Sequence, residues 1–85
     1  MHVLLVDDDP KLCRTLKRGF QELGHECETF ESGELALARL RDPDARRPDV
    51  VLLDVMLPGI DGWETLQRLR DGGEPMPVIY LTARH

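Results

Sequence analysis

Aromatic side chains are scarce in this 85-residue chain, with one Trp, one Tyr and two Phe, so aliphatic packing has to supply the core. Cysteine is also short: Cys13 and Cys27 rule out a disulfide-rich framework. Whether the two pair is open from spacing, and two small core-filling thiols in a reducing cytosol are the expectation. Basic charge is in deficit, eleven Lys and Arg against sixteen Asp and Glu, for a net charge of −5 and a pI near 5.0. Such a surface, with its Arg residues scattered, does not hold nucleic acid unaided, because phosphate binding draws its affinity from basic charge. Long apolar runs are absent too. Stretches such as 50–53 fall far short of the ~20 residues of a membrane span. Asp7 arrives too early for a secretory signal, so no membrane contact and a cytoplasmic location are expected.

What remains is ordinary globular material, 41% hydrophobic and 32% charged. A chain of this length makes one domain at most and buries roughly two-thirds of its unfolded surface. Val3 to Val6, Val50 to Leu53 and Val78 to Leu81 are short and wholly apolar, the pattern of strands covered on both faces in a parallel sheet. His25 to Phe30 is a more polar strand, suited to an edge.

Helices fit between these strands. Pro10 suits a first helical turn with Asp8 or Asp9 as cap, and Leu12, Leu16, Phe20 and Leu23 recur at helical spacing before Gly24 closes the segment. Ser32 caps a second helix with Leu35, Ala36, Leu37 and Leu40 on its apolar side. Trp63, Leu66 and Leu69 mark a third, ended by "DGGEP". "RDPDARRP" (41–48) is a solvated connector. The alternation predicts an α/β, doubly wound parallel sheet with right-handed crossovers.

In such a sheet ligands bind beyond the carboxyl ends of the strands, and that is where "VLLVDDDP" leaves its acids. Asp7 and Asp8 follow the first strand, Asp54 the third and Thr82 the fourth. Two carboxylates ~4 Å apart repel by about 4 kcal/mol at an effective dielectric of roughly 20, so a third makes a bare site costly. A divalent cation removes the conflict, and hard oxygen donors in an incomplete shell suit Mg²⁺. Asp9 fits a helix cap better than a ligand.

"LLVDDDP", "PDVVLLDVMLPGIDGWE" and "VIYLTA" together resemble the receiver domain of two-component response regulators, along essentially the whole chain. The resemblance implies a flavodoxin-like receiver fold with strand order two, one, three, four. It implies that Asp54 accepts a phosphoryl group from a histidine kinase, and that Mg²⁺ is held by Asp7, Asp8, Asp54 and the backbone carbonyl of Met56. Thr82 would bond the phosphoryl group as the switch hydroxyl, Ala83 would leave it space, and "LPGIDG" would position the loop. Weak self-dephosphorylation is the most enzymatic behaviour implied. A stand-alone phosphohydrolase is disfavoured, because the second acid such enzymes carry two residues after the nucleophile is here Met56.

Receivers continue past Thr-Ala with a helix, a strand ending in Lys and a further helix, so residues 1–85 read as the N-terminal part of that domain. Two expectations follow: a fragment of a longer regulator, with DNA contacted only through an output domain of winged-helix type, or a binding module that self-associates through its exposed sheet edge. Of the remaining residues, Tyr80 is expected in core packing, Trp63 as a half-exposed helix residue near the acceptor loop, and His2, His25 and His85 as ordinary surface or edge residues.

Overall fold

A computed structural model of the chain describes residues 1–81. Its elements run β1 (His2–Val6), α1 (Pro10–Glu22), β2 (Glu26–Phe30), α2 (Gly33–Leu40), β3 (Val50–Asp54), α3 (Gly62–Asp71) and β4 (Val78–Leu81). The four strands form one parallel sheet in the order β2-β1-β3-β4, as the alternation and the resemblance require. Among the described residues no helix is long and apolar enough to cross a membrane.

Strand periodicity sorts the core into two layers. Leu4, Val6, Val51 and Leu53 face the side covered by α2 and α3, packing with Ala36, Leu37, Leu40 and Leu69. Val3, Leu5 and Val50 face α1 and pack with Cys13 and Cys27. Leu4, Leu5, Val6 and Leu53 have no exposure, and each such side chain contributes about 1.5–3 kcal/mol by leaving water.

The second layer is thinner. α1 buries only Cys13, while Leu12, Leu16 and Phe20 of its apolar side stay half-exposed and Leu23 is largely in water. The reason is coverage: among the described residues α1 is the one helix on its side, and Ile79 on edge strand β4 remains 54% exposed. Leu35 also departs from expectation, pointing to solvent while Ala36, Leu37 and Leu40 carry the buried side of α2.

Local signals decide the boundaries. Asp9 caps α1, its Oδ1 accepting from the Lys11 and Leu12 N–H groups. Ser32 caps α2 through the Leu35 N–H, and Asp61 caps α3 through the Glu64 N–H at 2.9 Å. Gly24 takes the left-handed conformation after α1, with φ +85°. The 41–48 connector is organised by Arg47, which donates to the carbonyls of Leu40 and Asp42 and pairs with Glu74.

His2 does not behave as an ordinary surface or edge histidine. It is buried in β1, with Nδ1 3.0 Å from Glu26 and Nε2 2.5 Å from Glu28. Its place in the strand explains this: His2 shares the parity of Leu4 and Val6, and Glu26 and Glu28 flank it on β2. His25, half-buried, lies against the N-terminal amine and the Phe20 ring, and His85 is outside the described residues.

Candidate functional site

Strand register builds the site. Val6 stands opposite Leu53, so Asp7, the next residue of its chain, comes alongside Asp54. Both residues share the parity of the α1-side core positions, which turns their side chains the same way. Asp7 is fully buried and Asp54 is 3% exposed, whereas Asp8 is exposed at the mouth. One carboxylate oxygen from each of Asp7, Asp8 and Asp54 lies within 4.8 Å of the others.

Backbone amides hold the two buried acids. Asp7 Oδ1 accepts from the Asp9 N–H at 2.8 Å, and the Asp7 N–H donates to the Phe30 carbonyl at 3.0 Å, tying the tip of β1 to β2. Asp54 Oδ1 accepts from the Met56 N–H at 3.2 Å. Cys13 donates from Sγ to the Asp7 carbonyl at 3.3 Å. Burial, helped by the Asp7 carboxylate, pushes the Cys13 thiol up to about 11, which keeps it a protonated donor.

The donor set fits a hard divalent ion: three carboxylates on aligned strand tips, two of them desolvated, with the third at the opening. Among the described residues no salt bridge reaches Asp8 or Asp54. Bringing these negative groups together costs Coulomb energy that a cation between them would reverse.

The loop after Asp54 is held at both ends. Gly59 turns it with φ +71°, and Gly62 at the start of α3 donates to the Val55 carbonyl at 2.8 Å. A Cβ on Gly62 would come within 2.5 Å of the Asp54 carbonyl oxygen, so only glycine allows α3 to begin this close to the acid. Trp63, 58% exposed, packs at a tilt against Tyr80 with ring centroids 4.5 Å apart. Tyr80 itself packs on the α2/α3-side core.

Of the residues singled out from sequence, Asp7, Asp8 and Asp54 meet, Asp9 caps, and Met56 is tied to Asp54 through its amide. Thr82 and Ala83 lie outside the described residues. Sequence reasoning missed Glu34, which reaches the 58–61 turn from α2, and the His2 cluster; the shared parity of His2, Leu4 and Val6 is the available signal for the latter.

The response regulator receiver domain family matches residues 3–85. The transcriptional regulatory protein AfsQ1 of Streptomyces coelicolor is 43% identical over 83 residues, which are 98% of this chain and 35% of that protein. The transcriptional regulatory protein TcrA of Mycobacterium tuberculosis is 44% identical over 84 residues, 99% of this chain and 32% of that protein. The chain thus spans about a third of the length of these curated relatives. Among solved structures, the receiver domain of Francisella response regulator 1452 superposes with a TM-score of 0.87 at 34% identity, covering 98% of this chain and 66% of that one. The chain belongs to the response regulator receiver domain family.

Proposed function

We propose, with receiver membership as the premise, that this chain takes a phosphoryl group from a phosphohistidine of a sensor kinase onto Asp54. The observation that carries the reading is the carboxylate trio: oxygens of Asp7, Asp8 and Asp54 within 4.8 Å of one another, with the proposed acceptor 97% shielded from solvent.

The chemistry is an in-line displacement. Asp54 Oδ2 forms a bond to phosphorus as the P–N bond to the donor imidazole breaks, the imidazole nitrogen keeps the bonding pair, and an acyl phosphate results. An aspartate is a weak nucleophile toward a phosphoryl dianion, and the flanking carboxylates make the approach worse. Mg²⁺, held by Asp7, Asp8, Asp54 and the Met56 carbonyl, supplies the neutralising charge when bound. The Met56 N–H fixes Oδ1 of Asp54, so the two oxygens of the acceptor have different roles. Burial of Asp7 and Asp54 limits water at the reacting centre.

By resemblance, Thr82 then bonds the phosphoryl group and Ala83 leaves it space. In this reading residues 1–85 are the N-terminal part of the receiver unit, and a longer protein passes the signal to transcription, as the names of the relatives suggest.

Incubation with Mg²⁺ and acetyl phosphate tests the acceptor role. Intact-protein mass spectrometry should show one added, hydroxylamine-sensitive phosphoryl group, and Asp54→Ala should remove it. Undiminished labelling of the Asp54→Ala protein would overturn the assignment.

A further inference from the structure

We propose that Glu34 is a positioning residue for the acceptor site, latching the turn that follows Asp54; this rests on the phosphoacceptor reading. Among the described residues, side chains of two helices hydrogen-bond the 58–61 turn, Thr65 of α3 and Glu34 of α2. Its Oε2 accepts from the Ile60 N–H at 3.3 Å. The same carboxylate lies over Gly59, where a Cβ would stand 2.4 Å from Oε2. At φ +71° that position already favours glycine, so backbone conformation and contact both fit the turn to the carboxylate.

The neighbouring contacts show why this one matters. Gly33, immediately before Glu34, lets α2 press onto α3: a Cβ there would meet Thr65 Oγ1 at 2.0 Å and Ile60 Cγ1 at 3.1 Å. Thr65 is 1% exposed and donates from Oγ1 to the Asp61 carbonyl at 2.7 Å. On the opposite flank the Gly62 N–H fastens α3 to Val55, the residue after Asp54. The first turns of α2 and α3 therefore enclose the loop from two sides. The α3 side is fixed by backbone and buried groups, and the α2 side depends on one exposed carboxylate.

Removing that carboxylate leaves the hydrophobic core intact and frees the turn that carries the chain away from Met56. The loss should appear in metal binding rather than in folding, because a group that orients a ligand changes affinity by more than it changes stability.

Mg²⁺ titration of the full chain, followed by Trp63 fluorescence, and hydrogen exchange at the Ile60 amide read the two ends of this linkage. Glu34→Ala should raise the Mg²⁺ dissociation constant about fivefold or more and speed Ile60 exchange. Glu34→Gln should stay within about twofold of the parent in both, because its amide oxygen accepts the same bond. An unchanged dissociation constant or unchanged Ile60 exchange in Glu34→Ala overturns the latch. Equal weakening by Gln and Ala does so too, since it would assign the effect to charge at a distance. A parent protein that takes neither Mg²⁺ nor phosphate overturns the acceptor reading instead, and Ile60 exchange then still decides the latch.

Discussion

The two ends of the sheet use the same side chains to opposite purpose. At the amino end, Glu28 receives a two-bond fork from Arg39, Nε to Oε1 at 3.0 Å and Nη2 to Oε2 at 2.8 Å, and also meets His2. Glu26 is shared between His2 and Arg46, and Asp49 accepts from the His2 N–H at 2.6 Å. Each of these acids has a donor of complementary kind, so the cluster is a strand fastening that joins β1, β2 and α2. At the carboxyl end three acids face one another instead. Complementary pairing produces stability; gathered like charge produces affinity for an external cation. Where a fold gathers like charge in a buried place, a ligand is the physical expectation.

Metal should separate the ends most strongly. Saturating Mg²⁺, at about 100 times its dissociation constant, should stabilise the parent protein by about 2.7 kcal/mol. Thermal unfolding should show most of that gain missing from Asp54→Asn, which keeps the Oδ1 contact to Met56 and lacks the charge. An equal gain in both proteins would place the ion elsewhere.

Arg39→Met should have the next effect, lowering stability by about 1–2 kcal/mol, since it strips the fork from Glu28 at a half-buried position. Denaturant unfolding measures that loss, while labelling by acetyl phosphate should hold at the parent rate; a matching fall in labelling would show that the two ends are coupled.

Acid should act on the amino end by a smaller amount. The Arg39 hydrogen bonds hold the Glu28 carboxyl at about 2, against an ordinary 4.5. Because the folded form binds this proton less readily, its contribution is complete above pH 4.5 and disappears as pH falls toward 2. Acid unfolding of Glu28→Gln should lack that component, and an identical pH profile in both proteins would remove Glu28 as its source.

Legibility from sequence follows the range of the interaction. The strands β1, β3 and β4 are legible as unbroken apolar runs, although edge strand β4 leaves Ile79 54% exposed, and α1 and α2 begin where Asp9 and Ser32 can cap them. The acidic site was readable because Asp7, Asp8 and Asp54 fall at strand ends, where a parallel sheet collects its ligands. His2 was misread, because a histidine beside the chain start looks exposed until the Glu26 and Glu28 parity on the partner strand is known. The partial exposure of the apolar side of α1 is not legible for a related reason: helical spacing reports a side that prefers burial and says nothing of whether another element covers it. Glu34 carried no signal at all, since the Ile60 N–H it meets is 26 residues away.

Sequence by itself determined the element types, the caps, the acids at the strand tips and the family, all of which depend on contacts within a few residues or on a linear motif. Tertiary structure decided the rest: that Val6 aligns with Leu53 and so sets Asp7 beside Asp54, that Arg39 and His2 share Glu28, and that Glu34 of α2 reaches the turn after Asp54. Register and helix approach are fixed by packing between segments far apart along the chain, and the geometry of a charged site is the product of that packing.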